Sequence, residues 1–228
     1  MNLFNKTILI TGGSEGLGLE LAKILLAERA EVIICGRSKE KLDNASQILA
    51  SSKLRTFKCD VSDYNQVELL VKNIAKLDVL INNAGLYLDG AIEATDPSDI
   101  SNILDVNIKG LIYTTKVSLK LLKKAREAFI VNILSTKAIE PASNLSVYTA
   151  SKYGARGFSE SLKIELKSTN VRILDFCPAS MNTDFHYKAG SIKDKSKWMN
   201  PEDVAKVILF ALKGDSPLTF ETLVVRNR

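Results

Sequence analysis

Histidine is nearly missing from this chain, with His186 the only one in 228 residues, and cysteine is scarce, with three. No cysteine or histidine cluster has zinc-ligand spacing, so no metal site is expected. His186 falls in a long loop and reads as an exposed loop residue. Cys35, Cys59 and Cys177 are odd in number, far apart, and lie in or beside apolar runs, the pattern of small core residues in a reducing compartment and not of a disulfide framework. No apolar run approaches the roughly 18 residues of a membrane span. Met1 leads directly into Lys6-Thr-Ile-Leu-Ile without a basic leader, which points to a cytoplasmic protein with no membrane partner. Internal repeats, proline-rich linkers and low-complexity tracts are lacking too. The net charge of +5 and pI near 9.0 come from basic residues interleaved with acidic ones, so nucleic-acid binding is not expected. The densest basic stretch, Lys188 to Lys197, reads as a solvated loop.

What is present is the composition of a folded domain: 46% of residues are hydrophobic and 25% charged. The length suits one domain over 1–228. Short apolar, β-branched runs recur near 7–11, 31–35, 54–58, 78–82, 128–133, 171–176 and 222–226, with helical patterns between them. This alternation predicts an α/β fold, a Rossmann-type doubly wound parallel sheet of about seven strands flanked by helices. Asp96-Pro97 and Asn200-Pro201 mark helix starts. The long non-periodic piece 178–200 is the expected substrate-contact loop.

The first strand runs straight into Gly12-Gly13-Ser14-Glu15-Gly16-Leu17-Gly18 and then an amphipathic helix with Leu21, Ile24 and Leu25. Glycines at such a turn let the backbone approach a pyrophosphate while the helix N-terminal N–H groups face the anion. The spacing is Gly-x-x-x-Gly-x-Gly, which differs from the common dinucleotide fingerprint. The second strand ends in Ile34-Cys35-Gly36-Arg37-Ser38, with no carboxylate to hold a ribose 2′-hydroxyl. Arg37 is suited to a 2′-phosphate, so NADP(H) is favoured over NAD(H).

Tyr148 and Lys152 are four apart in a helical pattern and share a face. An ammonium beside a phenol favours the phenolate, and lowering a tyrosine pKa by about 3 units takes about 4 kcal/mol, more than an exposed pair supplies but within reach of a partly desolvated site with a second positive charge such as oxidised nicotinamide. Taken with Thr11 to Gly18, Asp60-Val61, Asn82-Asn83-Ala84-Gly85, Asn107-Ile108-Lys109-Gly110 and Asn132-Ile133-Leu134-Ser135, the chain resembles the short-chain dehydrogenase/reductase family over essentially its full length.

That resemblance implies an oxidoreductase that moves hydride between a nicotinamide and a carbonyl or secondary alcohol. It makes Tyr148 the general acid or base, Ser135 the hydrogen-bonding partner of the substrate oxygen, and Lys152 the holder of the nicotinamide ribose that also lowers the Tyr148 pKa. Asn107 supports a water leading to Lys152. Asp60 and Val61 border the adenine, with Asp60 also read as a helix N-cap, and the stretch Asn82 to Gly85, Ala84 included, puts backbone against the adenosine ribose. Met181 and Thr183 meet the carboxamide end, in a segment where Ala179 stands in place of the family's usual glycine. Leu134 replaces a common second serine. Phe185, Tyr187 and Trp198 are candidates for the substrate pocket, whose shape rests on 86–96, 138–147 and 184–200. The partner expected is a small carbonyl or alcohol compound, and the assembly a homodimer or homotetramer through 101–123 and 146–167. A competing reading is a catalytically idle NADP(H)-binding sensor or scaffold.

Overall fold

The computed structural model of the chain describes residues 1–185, 198–214 and 219–227. His186, Tyr187 and the basic stretch 188–197 lie outside the described residues.

Among the described residues seven strands form one wholly parallel sheet. They are β1 (Thr7–Thr11), β2 (Glu31–Gly36), β3 (Leu54–Lys58), β4 (Val79–Asn82), β5 (Ala128–Ile133), β6 (Val171–Pro178) and β7 (Thr222–Val225), in the order 3-2-1-4-5-6-7. The unbroken apolar runs predict central strands, and β1, β4 and β5 are buried at every residue. The helices are α1 (Gly16–Ala27), α2 (Lys39–Leu49), α3 (Tyr64–Lys72), α4 (Pro97–Leu104), α5 (Leu111–Leu122), α6 (Ser146–Glu165) and α7 (Pro201–Lys213). One core layer joins Leu21 and Leu25 of α1, Leu42 of α2 and Ile208 of α7 to Ile8, Ile10, Ile34 and Ile81. The opposite layer joins Val67 and Leu70 of α3, Leu122 of α5 and Leu162 of α6 to Leu9, Ile33, Leu80 and Ile130. Among the described residues no helix is long and apolar enough to cross a membrane.

The predicted helix starts are capped as their residues require. Asp96 accepts from Ser98 N at 2.7 Å and Asn200 from Glu202 N at 3.0 Å, each followed by proline at the first helical position. Asp60 is not a cap. The cap of α3 is Asp63, which accepts from Asn65 and Gln66 N, while the Asp60 carboxylate turns back to Ser62 N and Oγ.

The sheet reverses direction of winding at β1 and β4, where ligands of open parallel sheets bind beyond the carboxyl ends of the strands. The glycine turn, Arg37, Asp60-Val61, Ala84-Gly85, Ser135 and Met181 all follow the carboxyl ends of strands, and the junction of α4 with α5, together with α6, brings Asn107, Tyr148 and Lys152 to the same side.

Candidate active site

The turn after β1 is shaped for close backbone approach. Gly12 has φ +63°, and a Cβ there would lie 2.9 Å from Ala84 Cα; a side chain at Gly18 would collide with the Gly12 carbonyl. The Asn83 carboxamide locks the turn, donating to Thr11 O at 3.0 Å and Gly12 O at 2.9 Å. Thr11 Oγ1 in turn accepts from Asn83 N and Ala84 N, both at 3.0 Å. Helix α1 then starts at Gly16 with no side-chain cap and no acidic residue in its first turn, so its leading N–H groups are free to meet an anion.

At the other end, Ser135 closes β5, and Tyr148 and Lys152 project from α6; Tyr148 and Lys152 are each 5% exposed. Ser135 Oγ accepts from Lys137 N at 3.1 Å and hydrogen-bonds the Tyr148 phenol. Lys152 Nζ donates to Ile133 O at 3.1 Å and sits 5.8 Å from the Tyr148 ring centre. Burial pushes the Tyr148 pKa up to about 12, with the Ser135 hydrogen bond opposing it and Tyr87 adding to it. Burial also pushes Lys152 down to about 8. The sequence reading has the lysine, together with an oxidised nicotinamide, pull the tyrosine down; in the chain alone desolvation dominates both groups and drives each toward its neutral form, which leaves Tyr148 as a protonated phenol able to donate.

Asn107 lies in a six-residue π-helical segment, Asp105–Gly110, that joins α4 to α5. The widened turn frees its carboxamide from the helix. Oδ1 accepts from Leu86 N at 2.7 Å, and Nδ2 donates to Leu86 O at 2.9 Å and Ser151 Oγ at 3.0 Å. Asn107 thereby pins the strand-end loop to α6 between Tyr148 and Lys152.

Two confluent cavities run along this face. One of about 530 Å³ is lined by Gly12, Gly16, Leu17, Ser135, Tyr148, Lys152, Met181 and Thr183. Its neighbour of about 340 Å³ is lined by Ser14, Arg37, Lys41, Cys59, Asp60 and Val61, and the two share Glu15, Ala84, Gly85 and Tyr87.

The family model for short chain dehydrogenase matches residues 6–193. The chain belongs to that family. An uncharacterized oxidoreductase of Bacillus subtilis, DltE, is 34% identical, with 97% of this chain and 90% of that protein covered. A serine dehydrogenase solved in its closed form with NADP+ superposes with a TM-score of 0.90 at 27% identity, covering 96% of this chain and 94% of that one. The 3-ketoacyl-(acyl-carrier-protein) reductase of Brucella melitensis, solved with NADH, gives 0.89 at 26%, covering 98% and 97%. As a short-chain dehydrogenase the protein is an oxidoreductase of a family that typically binds a nicotinamide cofactor. The glycine cradle, the uncapped α1 and the continuous cleft fit an extended dinucleotide.

Most residues predicted for this short-chain dehydrogenase site line the cleft, but three do not. Gly18 lies behind the turn and serves packing. Asn107 acts from behind the wall. Asn82 is 4% exposed and turned into the sheet, donating to Thr115 Oγ1 and Asn132 Oδ1, both at 2.9 Å, and accepting from Thr114 Oγ1 at 2.6 Å. This buried chain continues through Ser159 to Asp175, which Lys163 neutralises at 2.7 Å. Ala179 needs no glycine: its φ is not positive, and its N–H bonds Val225 O at 2.9 Å.

Sequence reasoning missed Lys41, whose ammonium pairs with Glu15 at 2.8 Å across the turn. It also missed Asn83 as a clamp and Tyr87, whose ring meets Tyr148 edge-on at 5.0 Å. Phe185 packs on Tyr87 at 6.0 Å. A polar residue beside the Ala84-Gly85 turn was the available signal for Asn83; none existed for Lys41, which is 26 residues from Glu15.

Proposed function

We propose that the protein is an NADP(H)-dependent carbonyl reductase with Tyr148 as its proton donor. The observation that carries this is the buried, protonated Tyr148 phenol, hydrogen-bonded to Ser135 and beside Lys152, on the wall of a cleft that continues along the glycine turn.

When bound, the nicotinamide supplies or accepts the hydride, chemistry no side chain here provides. Gly12 to Leu17 would hold the pyrophosphate by backbone N–H groups, Ala84 and Gly85 would carry the adenosine ribose, and Met181 and Thr183 would border the nicotinamide end. Ser135 orients a carbonyl oxygen toward the Tyr148 hydroxyl, which donates its proton as negative charge develops on that oxygen. The Lys152 ammonium stabilises the phenolate that results, a task suited to a buried cation close to its titration point. Asn107 holds α6 so that both groups stay aimed. Tyr87, Leu145 and Phe185 supply an apolar wall for the rest of the substrate.

Arg37 and Lys41 favour a 2′-phosphate over a bare ribose. The Glu15 carboxylate would repel that phosphate, but Lys41 already neutralises it, leaving Arg37 as surplus positive charge. Assembly as a homodimer fits the exposed Tyr153 and Ile164 on α6, and light scattering in solution checks it.

The test is a panel of ketones, aldehydes and 3-oxoacyl thioesters with NADPH, following its absorbance. The expected result is turnover of at least one class, faster with NADPH than with NADH. Tight NADPH binding with no turnover across the panel would return the protein to the sensor reading.

A further inference from the structure

Two cysteines lie beside the cofactor cleft and have no part in the chemistry above. Cys35 is near the end of β2, and Cys59 directly follows β3. In the β2–β3 register Cys35 stands opposite Phe57 and Gly36 opposite Lys58, and Cys59 N donates to Gly36 O at 3.0 Å. Side chains two apart along extended chain return to one face, so Cys59 comes to the face of Cys35. Both are free and buried in the same apolar layer, and each thiol is the largest influence on the other's titration.

The pair touches the cofactor site twice. Cys59 lines the cavity beside Gly36, Arg37 and Asp60. The Cys35 carbonyl accepts from Gly12 N at 2.8 Å and Gly13 N at 3.2 Å, and so anchors the phosphate turn. The two thiols are also unequal. Cys59 and burial push Cys35 well up, whereas Cys35 lowers Cys59 against the opposing effects of burial, Asp60 and Asp63. Cys59 is thus the thiol nearer to its nucleophilic form, and of the two residues it is the one that lines the cavity, with 1% of its surface exposed.

We propose that Cys35 and Cys59 are a modification site: a peroxide-reactive pair that closes to a disulfide in the adenosine wall and weakens cofactor binding. The Cys59 sulfur attacks one oxygen of hydrogen peroxide, the O–O bond breaks, and the departing hydroxide takes the thiol proton as water, leaving a sulfenic acid. The Cys35 sulfur then attacks the Cys59 sulfur, and the sulfenic hydroxyl leaves with the Cys35 proton as a second water. Together the sulfurs lose two electrons and the peroxide gains two. Bonding at about 2.05 Å draws the ends of β2 and β3 together and shifts the Cys35 carbonyl under the turn. The effect on binding, and protection by cofactor covering Cys59, rest on the NADP(H) reading.

The full chain is treated with hydrogen peroxide, with and without NADPH, and read by intact mass, peptide mapping and NADPH fluorescence titration. The expected result is a loss of about 2 Da, a linked Cys35–Cys59 peptide, and Cys177 still open to alkylation after denaturation. NADPH affinity falls about tenfold and recovers with dithiothreitol, and bound NADPH slows the mass change. In Cys35→Ser the reaction stops at addition of about 16 Da on Cys59. Oxygen addition without mass loss in the wild type, oxidation of Cys177 first, or a disulfide with unchanged NADPH affinity each overturns the proposal. If the reduced protein binds no NADPH, the cofactor reading fails and the mass map alone decides the disulfide.

Discussion

At the reaction end of the cleft Tyr148 and Lys152 are each 5% exposed, whereas at the adenosine end Arg37 is exposed and the Glu15–Lys41 pair keeps 47% and 45% of its side-chain surface. The contrast separates two kinds of electrostatics in one groove. Where water is excluded, desolvation pushes Tyr148 up to about 12 and Lys152 down to about 8, and a single lost group removes a chemical step. Where water remains, charges are screened and act as a preference. Substitutions at the first end should therefore lower kcat, and at the second should move KM and cofactor choice.

The largest effect is expected from Tyr148→Phe, which keeps the ring against Tyr87 and removes only the proton donor: kcat falls about 10³-fold with NADPH affinity unchanged, read by steady-state kinetics and fluorescence titration. Next is Lys152→Met, which lowers kcat about 10²-fold yet stabilises the fold. Below pH 8 the buried lysine is charged in the folded chain and in the unfolded one, so its full desolvation penalty, about 3 kcal/mol, opposes folding. Between about pH 8 and its ordinary 10.5 the folded chain sheds the proton first, and the penalty fades. Thermal melts should show Lys152→Met above the wild type at pH 7, with the gap closing by pH 10. Tyr148, raised to about 12, works the other way only above pH 10.

Asn107→Leu leaves Leu86 N, Leu86 O and Ser151 Oγ without their partner, so melts should show a loss of about 2 kcal/mol, and kcat should fall more than KM rises. The smallest effect belongs to the wet end. Arg37→Ala should lower the NADPH-to-NADH ratio of kcat/KM about tenfold, mostly through KM, and added salt should erode the wild-type preference in the same direction. A kcat collapse in Arg37→Ala would erase the distinction between the two ends.

The fold was legible because both of its signals are local. Unbroken β-branched runs marked β1 and β4, and Asp96-Pro97 and Asn200-Pro201 marked helix starts that bear out at those residues. The same local reasoning failed at Asp60, where a better-placed Asp63 three residues on takes the cap. In the site, four-residue spacing placed Tyr148 and Lys152 together, but how strongly desolvation acts on both in the chain alone was not legible, because burial is a property of the packed cleft. Asn82 was read as backbone against the ribose; that its carboxamide is held by Thr114, Thr115 and Asn132 was not legible, because they come from other elements. Lys41 escaped notice for the same reason: its partner Glu15 is a neighbour only after β1 and β2 pair.

Single-turnover oxidation of pre-bound NADPH, mixed with the best carbonyl compound from the panel, tests the central claim most directly when wild type and Tyr148→Phe are compared at equal saturation. The account predicts fast hydride loss in the wild type and a rate about 10³-fold lower in the variant, with NADPH bound equally by both. Equal rates in the two proteins would contradict it, because the proton on Tyr148 would then have no part in the reaction.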